Sequence, residues 1–451
     1  MPEQMQTNNT ITQGALYQAF VKYFIPILLG SLIQQSYSFV DALIIGNFAG
    51  KAALAAIDAP YAYIKLLINA FIALSTGGTI IVSQYCGAKN KSALEETVSS
   101  MMRFSITGGV IISLIGIFFA PSFISAMLIP DDIYALSLAY LRVYFAGTIF
   151  VFSFNIASGI LRALGDSKNP FYYLMFSSVL NIILDFIFVA ALKWSVAGAA
   201  LATIIAQATA MCLVLRKVIK MGFSLRRSKD FLALKKMLKL GSPMALQSIL
   251  FSVANMFMQR GINSFGTDSI AGWSICGKSD FIIWSLADTL GLAVTTFVAQ
   301  NYGAKNRERM HKSVRAGLLT SVICIGAISL ILYLFIGSIA SLFTRDQAAI
   351  DHAVYLMRLT CPFYLLYAFA GVFSGGIKGR GNTLHPMLIT LVGTCGFRIA
   401  WVHLISRYSM SLKNIILGYP LSWGITALLF GIYYAILVYS RKNQEATLLS
   451  S

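Results

Sequence analysis

The sequence predicts an all-α polytopic membrane protein with twelve transmembrane helices in two pseudo-symmetric six-helix bundles. Three observations support this fold class: few charged residues, twelve long apolar runs, and a duplication at a constant offset. Charged residues make up 12% of the 451 residues, hydrophobic residues make up 57%, and the mean hydropathy is +0.73. Because a soluble domain carries about a quarter charged residues, most of this chain's surface requires a non-aqueous solvent.

Twelve runs are long and apolar enough to cross a bilayer, which takes roughly 20 apolar residues per helix. Several of them are longer than one crossing needs, which indicates tilted helices or helices that extend beyond the hydrocarbon. The predicted spans are 18–46, 55–84, 101–128, 134–162, 170–192, 195–218, 238–263, 271–300, 314–343, 349–376, 386–408 and 415–440.

Two motifs recur at one constant offset. IVSQYCGAKN at 81–90 matches FVAQNYGAKN at 297–306 in six of ten positions, and SGILRALGDSKNP at 158–170 matches SGGIKGRGNTLHP at 374–386. Two motifs that share an offset indicate a duplicated half. Each half has six spans, so both enter the membrane in the same direction, and we expect an axis along the membrane normal to relate them.

The spans divide the chain into two lobes joined by a basic linker. We interpret this linker as a solvated connection that lies against the anionic leaflet of the membrane. Gly87 and Gly303 follow spans 2 and 8 and are predicted to be the left-handed residues that close those helices. The predicted order is a cytoplasmic tail 1–17, a first lobe 18–218, a linker 219–237, a second lobe 238–440 and a cytoplasmic tail 441–451.

The distribution of basic residues predicts the orientation. Alternate connections, counted with the C-terminus, hold 23 Lys and Arg, whereas the opposite set holds 5. Because positive charge favours the cytoplasmic side, both termini are expected there, with the protein in the plasma (inner) membrane. The N-terminus lacks the charged region and cleavage site of a signal peptide, so we expect none to be removed.

Other classes of function find little support. The net charge of +18 lies in short loops between apolar runs, which argues against nucleic-acid binding. The six Cys form no CxxC pair, so neither a disulfide framework, a metal site nor a cofactor is expected. A membrane-embedded enzyme would need clustered metal or nucleophile motifs, and none is present. We expect a monomer in contact with membrane lipids.

Acidic side chains inside the spans are rare, and each is a candidate functional group because an ionisable residue in the bilayer costs at least ~2.5–3.5 kcal/mol. Asp41 in span 1 lies roughly 9 Å below the outer end of its helix and Asp185 in span 5 roughly 12 Å, at 1.5 Å per residue. Thr203 and Tyr140 come to roughly 12 Å and 9 Å by the same rise. These four side chains therefore share one level of the first lobe.

Helical spacing adds two partners to this level. Tyr37 precedes Asp41 by four residues and Asn181 precedes Asp185 by four, so each pair shares a helix face. Two carboxyl groups with amide, hydroxyl and phenol partners can hold a proton or a transient Na⁺. The residues therefore predict an ion-coupling site. The alternative is two unrelated packing aspartates, each satisfied by a neighbouring hydroxyl or amide.

The second half lacks these carboxyl groups but has polar residues of its own. Adding the repeat offset to 41, 181 and 185 gives Phe257, Phe397 and Trp401. Lys278 and Arg398 are expected to neutralise Asp280, and the sequence suggests no partner for Asp288. A candidate polar site of the second lobe comprises Gln247, Asn255, Asp280, Asp288 and Arg398.

Pro26 interrupts span 1 fifteen residues before Asp41. A proline inside a helix removes a backbone hydrogen bond and permits a kink. The kink is either a hinge that couples protonation of Asp41 to bending of the helix, or a static feature. The sequence leaves both readings open.

Over roughly residues 15–440 the chain resembles the multidrug and toxic compound extrusion (MATE) transporters, in particular their DinF-like branch. The resemblance rests on SFVDALIIGNFAG, on the paired VSQYCGAKN and VAQNYGAKN segments, on SGILRALGDSKNP and on LNIILDFIF. It implies a secondary active antiporter that exports organic, often cationic or amphipathic, compounds in exchange for H⁺ or Na⁺ by alternating access.

The resemblance also implies roles for single residues. The ion site of that branch maps onto Asp41, Asn181, Asp185 and Thr203, with Tyr37 and Tyr140 nearby, and Pro26 matches the proline where the first helix bends. Sodium-coupled relatives carry an acidic residue where this chain has Gln247, which favours coupling in the first lobe. A lipid or lipid-precursor flippase of the same superfamily is the alternative function, although it would favour a cationic cleft.

Overall fold

The computed structural model describes residues 10–127, 129–223, 231–408 and 410–449, and no strand occurs among them. Eleven stretches of helix are long and apolar enough to cross a membrane. A further pair, bent by 45° between its two helices, brings the number to twelve if it counts as one span. The predicted fold class, an all-α polytopic membrane protein, is therefore confirmed.

The described residues of the first half form seven α-helices. The bent pair is α4 and α5, which meet at Gly147, where a Cβ atom would collide with the Ile204 side chain. A π-helical segment, Phe186–Ala191, continues α6. The helices are α1 (Leu16–Phe48), α2 (Lys51–Gly87), α3 (Lys91–Ala126), α4 (Asp131–Ala146), α5 (Thr148–Ala163), α6 (Lys168–Asp185) and α7 (Ser195–Lys220).

Nine α-helices lie in the part of the second half that the structure describes. A 3₁₀ segment, Cys361–Phe363, and a π-helical segment, Leu391–Gly396, interrupt two of its spans. Asp280 stands alone between two helices, where an uninterrupted span was predicted. The helices are α8 (Phe231–Asn263), α9 (Thr267–Ser279), α10 (Phe281–Gly303), α11 (Arg307–Ala340), α12 (Gln347–Thr360), α13 (Tyr364–Lys378), α14 (Leu384–Thr390), α15 (Phe397–Tyr408) and α16 (Leu412–Leu449).

The duplication is visible in the backbone. Residues with positive φ recur at the offset of the two motifs as Gly50 and Gly266, Lys89 and Lys305, and Gly165 and Gly381. Asn90 and Asn306 recur as N-caps, with side chains that accept from Ala93 N at 3.2 Å and from Arg309 N at 3.0 Å. The two halves therefore share their helix ends as well as their motifs.

The expectation for Gly87 and Gly303 was wrong. Both residues end their helices, but the left-handed residues are Lys89 and Lys305, with φ of 55° and 56°. Asn90 N then donates to Tyr85 O at 3.0 Å, a six-residue closure that satisfies a carbonyl of the last turn. This helix-closing hydrogen bond, and not the position of the glycine, determines which residue adopts the left-handed conformation.

The described chain forms two compact units. The first contains Val21–Ala245, and the second contains Ile11–Phe20 and the residues from Leu246 onward. Of the predicted linker, residues 224–230 lie outside the described residues, and 231–237 form the first turns of α8. The predicted C-terminal tail continues α16 as far as Leu449.

The segment before α1 is fixed to the second unit by one arginine. Arg309, in the first turn of α11, donates through Nε to Ile11 O at 2.8 Å, through Nη1 to Gly14 O at 2.8 Å and through Nη2 to Gln13 O at 2.7 Å. Asn301 Nδ2 also donates to Ile11 O, at 3.2 Å. These four bonds explain why Ile11–Phe20 belongs to the second unit although α1 continues in the first.

Two helices at equivalent positions of the halves expose large apolar side chains along most of their length. On α3 these include Leu114 and Ile115, and on α11 they include Leu330 and Ile331, the matching residues of the second half. Such faces are costly in water and favourable against lipid. The chain is a multi-pass membrane protein.

Candidate functional site

The two carboxyl groups predicted to share a level in the first unit meet in the structure. Asp41 lies on α1 and Asp185 is the last residue of α6, and their side chains are close enough to interact electrostatically. Asp41 is half-buried, whereas Asp185 is 0% exposed. Two neighbouring carboxylates that are shielded from water repel each other unless a proton or a cation neutralises one charge. The pair is therefore a candidate site for one positive charge.

Several polar atoms of this pair and its neighbour Asn181 have no hydrogen-bond partner among the described residues. They include both oxygens of Asp185, Oδ1 of Asp41, and both Oδ1 and Nδ2 of Asn181, a residue that is 2% exposed. Leaving a buried polar atom unpaired costs about 1–3 kcal/mol, so such a concentration points to a site that a ligand or water completes.

The backbone beside the pair is irregular in the same place. Immediately after Asp185 the α-helix widens into the π-helical segment Phe186–Ala191. π-Turns inside helices are rare and occur frequently at functional sites. The change from α-helix to π-helix therefore occurs directly after Asp185, the fully buried carboxyl group of the pair.

A small cavity opens next to Asn181. It brings together Tyr37 on α1, Asn181 on α6 and Thr203 on α7, all predicted to belong to the ion site. Thr203 Oγ1 donates to Ala199 O at 3.1 Å, which leaves its lone pairs to face the cavity. The lining residues are Tyr37, Leu174, Ser177, Ser178, Asn181, Thr203, Ala206 and Gln207.

Tyr140 does not line this cavity. It is buried in the apolar cluster of the first unit that also contains Val189, and Val40 and Ile182 pack against that cluster. Tyr140 therefore stands beside the helices that carry the carboxyl pair, and its role as a site residue stays a prediction.

Sequence reasoning missed an acidic side chain near the pair in the first unit. Asp58 on α2 is exposed and lies within electrostatic range of Asp41. Among the described residues no three His, Cys, Asp or Glu side chains are close enough to ligate one metal ion, so Asp58 stands apart from the pair. Its position inside predicted span 2 was a signal that could have found it.

The expected neutralisation of Asp280 in the second unit was wrong. Its Oδ2 accepts from the Tyr364 hydroxyl at 2.5 Å. The Lys278 ammonium instead lies 5.8 Å from the centre of the Phe343 ring. The carboxyl group is therefore held by a tyrosine hydroxyl, and neither predicted cation forms an ion pair with it among the described residues.

Arg398 is 0% exposed and makes its contacts elsewhere. Nε donates to Ser422 Oγ at 2.9 Å, Nη1 donates to Asn255 Oδ1 at 2.6 Å, and the Tyr419 ring centre lies 4.5 Å from the guanidinium. A ring face and neutral acceptors stabilise this buried cation in place of a carboxylate. Asn255 and Arg398 are therefore brought together, as one structural group.

The remaining polar residues of the second unit are separate from that group. Gln247 Nε2 donates to Thr390 Oγ1 at 2.8 Å. Asp288, for which the sequence suggested no partner, accepts from the Tyr367 hydroxyl at 3.3 Å. The predicted second polar site is thus divided among several small networks. The aromatic partners Tyr364 and Tyr367 were missed because a long sequence separation divides them from the acids.

Comparisons with known proteins agree with this architecture. A family model described as MatE matches residues 26–187 and 243–402. The probable multidrug resistance protein YoeA of Bacillus subtilis is 28% identical over 447 residues, which cover 96% of each chain. The multidrug export protein MepA of Staphylococcus saprophyticus is 26% identical over 438 residues, covering 91% of this chain and 95% of that one.

A solved structure with the same fold is described as the outward-facing conformation of a multidrug resistance MATE family transporter of the MOP superfamily. It superposes with a TM-score of 0.90 at 21% sequence identity, covering 97% of this chain and 99% of that one. The family model matches both copies of the repeat, including the helices that carry Asp41 and Asp185. The chain belongs to the MatE family, the multidrug and toxic compound extrusion transporters that its sequence resembles.

Proposed function

We propose that the protein is a secondary active antiporter that exports organic, often amphipathic or cationic, compounds in exchange for H⁺ or Na⁺. The observation that carries the proposal is the proximity of the half-buried Asp41 to the fully buried Asp185 in a membrane protein of this family. A flippase for phosphate-bearing lipids would favour a cationic site, whereas the unpaired atoms here belong to carboxyl and amide groups.

The mechanism follows from the charge of the pair. With one proton or Na⁺ bound, the two carboxyl groups lose most of their mutual repulsion and α1 and α6 can stay together. When the ion leaves, two adjacent negative charges in a low-dielectric site repel each other. Ion release therefore favours separation of α1 from α6, which is the conformational bias that alternating access requires.

Exposure of the three acids is graded. Asp58 is exposed, Asp41 is half-buried and Asp185 is fully buried. A cation that arrives from water meets Asp58 first and Asp185 last, so Asp58 is the group that draws the ion toward the pair. Electrostatic attraction of this kind raises the local ion concentration and the rate of arrival.

The proposal is tested with purified protein in sealed vesicles and a fluorescent cationic dye. A pH gradient and a Na⁺ gradient are imposed separately, and dye movement is followed with each. Gradient-driven movement of the dye supports the antiport, and the gradient that drives it identifies the ion. If the dye moves equally fast with no gradient, the coupling proposal is contradicted.

Replacing Pro26 with alanine is expected to reduce transport more than it reduces the amount of folded protein. Helix α1 runs unbroken through Pro26, and the missing N–H at this position lowers the cost of bending there. The measurement is initial dye efflux divided by the monodisperse protein yield. Pro121→Ala in α3, a similar change in a helix without site residues, is the control. A Pro26→Ala protein with normal yield and normal efflux would mean that the kink is static.

A cysteine placed at Lys220 is expected to be protected from a membrane-impermeant maleimide in intact cells, whereas one at Lys193 is labelled. The reason is the excess of basic residues in the connections that include Lys220. Labelling is measured by mass shift in a background that carries Cys212→Ser, since that cysteine is exposed. The reverse labelling pattern would overturn the proposed cytoplasmic location of both termini.

A further inference from the structure

Three helices of the second unit meet around Tyr434, which lies on α16. A Cβ atom on Gly376, near the end of α13, would lie 3.3 Å from Tyr434 Cε2 and 2.8 Å from Val314 Cγ2 on α11. His311 Nδ1, in the second turn of α11, lies 2.9 Å from the Tyr434 hydroxyl oxygen. The connections at this end of the helices belong to the set with the excess of Lys and Arg, which predicts the cytoplasmic side.

Two arginines join this group from different elements. Arg380 lies in the turn after α13, and its guanidinium carbon is 5.2 Å from the centre of the Tyr434 ring. Arg315 follows His311 by four residues on α11 and is exposed. Both arginines are close enough to His311 to interact with it electrostatically. We call these four residues, His311, Arg315, Arg380 and Tyr434, the basic cluster.

The helices that form the basic cluster carry almost no acid to balance it. From His352 to Gln444 the sequence contains no Asp or Glu, and this range includes all of α13 and most of α16. Glu308 is the one acidic residue of α11, and its Oε1 lies 2.6 Å from Lys312 Nζ. Arg315 forms no ion pair with any described residue. An anion from outside the chain would therefore relieve the repulsion within the cluster.

The basic cluster continues into the apolar exposed face of α11. His311, Arg315 and Leu319 follow one another at intervals of four residues, so they share one side of the helix. Leu319, Val322 and Ile323 are 52%, 47% and 53% exposed. Exposed apolar side chains of a membrane helix favour acyl chains, and cations at the end of such a face lie at the level of the headgroups.

The duplicated scaffold does not account for the basic cluster. The matching residues of the first half are Glu95, Ser99, Leu164 and Val218, and none of them is cationic. A general attraction of basic residues to an anionic leaflet is satisfied by any exposed cation, such as Arg103 on α3. It does not require cations from separate elements to converge on one half-buried tyrosine.

We propose that the basic cluster binds the headgroup of an anionic phospholipid, with the lipid phosphate between Arg315 and Arg380. Guanidinium groups match the geometry of phosphate oxygens, and the Tyr434 ring stabilises Arg380 through its face. The acyl chains lie along α11 from Leu319 onward. A choline lipid would bring a second cation to the two arginines, so the site selects a headgroup with a net negative charge. This site is separate from the carboxyl pair and does not depend on the proposed export function.

The test measures lipid binding to the purified full-length protein in detergent by native mass spectrometry. Dioleoyl phosphatidylglycerol and dioleoyl phosphatidylcholine have the same acyl chains and differ in the headgroup, and each is titrated separately. The wild type is expected to bind one phosphatidylglycerol more tightly than any phosphatidylcholine. Equal affinity for the two lipids would contradict the inference.

Arg315→Gln is expected to weaken phosphatidylglycerol binding about fivefold, the effect of one cationic side chain near an anionic lipid, and to leave phosphatidylcholine binding unchanged. Arg380→Gln should act in the same way, and Arg315→Lys should retain most of the affinity because it keeps the charge. Because Arg315 is exposed, its replacement should leave the fold intact. Unchanged binding in both glutamine variants would overturn the assignment to this cluster.

The matched control is Arg103→Gln, which removes an exposed arginine from the equivalent helix of the first half. Its affinity for phosphatidylglycerol should equal that of the wild type. An equal loss in Arg103→Gln and Arg315→Gln would show a diffuse attraction to the leaflet and would contradict a specific site.

A competition experiment separates a lipid from a soluble phosphate compound. Inorganic phosphate and glycerophosphoglycerol, the headgroup without its acyl chains, are added in tenfold excess over bound phosphatidylglycerol. Little displacement is expected, because neither compound has the chains that lie along α11. If either displaces the lipid as well as phosphatidylglycerol itself does, the phosphate group alone is sufficient and the assignment to a lipid is wrong.

Discussion

Replacing Asp185 with asparagine is expected to abolish gradient-driven transport, and Asp41→Asn is expected to do the same. Each change removes one carboxyl group from the pair that we propose holds the ion jointly, and the remaining partner alone lacks the mutual repulsion proposed to separate the helices on ion release. The measurement is dye movement in vesicles under imposed pH and Na⁺ gradients, with wild-type protein and empty vesicles as the limits. Both variants should fall to the level of empty vesicles.

The double variant Asp41→Asn, Asp185→Asn is expected to add little further loss, because residues that act as one unit are not additive. Binding of the dye without a gradient should survive in all three proteins. Asp280→Asn is the control in the second unit, and we expect it to lower protein yield, since the buried Asp280 accepts a hydrogen bond from Tyr364. If well-folded Asp280→Asn loses coupling while both first-unit variants still transport, the ion site lies in the second unit.

Gly375→Ala is expected to destabilise the second unit by about 3 kcal/mol, the upper range for overpacking a tight contact. The added methyl group would lie 2.5 Å from Gly291 O and 3.1 Å from Thr295 Oγ1. The nearer contact is a backbone atom in the middle of a helix, so α10 and α13 would have to move apart. Unfolding in mixed micelles with increasing sodium dodecyl sulfate measures the free energy.

The repeat supplies the control for this change. Gly159 is the residue of the first half that matches Gly375, and an added Cβ there meets only the Thr79 side chain, at 2.9 Å. A side chain can rotate away, so Gly159→Ala should cost much less, about 1 kcal/mol. Gly326→Ala, with nothing within 4 Å, should be neutral or slightly stabilising. Equal losses in Gly159→Ala and Gly375→Ala would show that the backbone contact is not the cause.

The membrane spans and the duplication could be predicted because both are properties of the sequence itself. The length of an apolar run identifies a membrane span, and a constant offset between two pairs of motifs identifies a duplicated half. The ends of the helices were less predictable. Lys89 and Lys305 adopt the left-handed conformation that glycine usually supplies, since the helix-closing hydrogen bonds determine which residue must turn.

The candidate site was predictable where depth and helical spacing act together. Asp41 and Asp185 each have a polar residue four positions earlier, so each aspartate shares a helix face with a polar partner. This spacing, together with their similar depth, predicted that the two faces form one site. Asp58 has Leu54 and Ala62 at the positions four before and four after it, so spacing gave it no partner and only its rarity could have marked it. Asp280 and Tyr364 are 84 residues apart in sequence, and such a contact depends on packing that a single sequence does not encode locally.

The anchoring of the N-terminal segment has a consequence for synthesis of the protein. Ile11 and its donor Arg309 are separated by 298 positions along the chain. At about 5–20 residues per second, the ribosome needs about 15–60 s to make that separation. Throughout this interval the carbonyl oxygens of Ile11, Gln13 and Gly14 are without their final donor, and water must satisfy them. The segment Ile11–Gly14 is therefore among the last described parts of the protein to reach its final place.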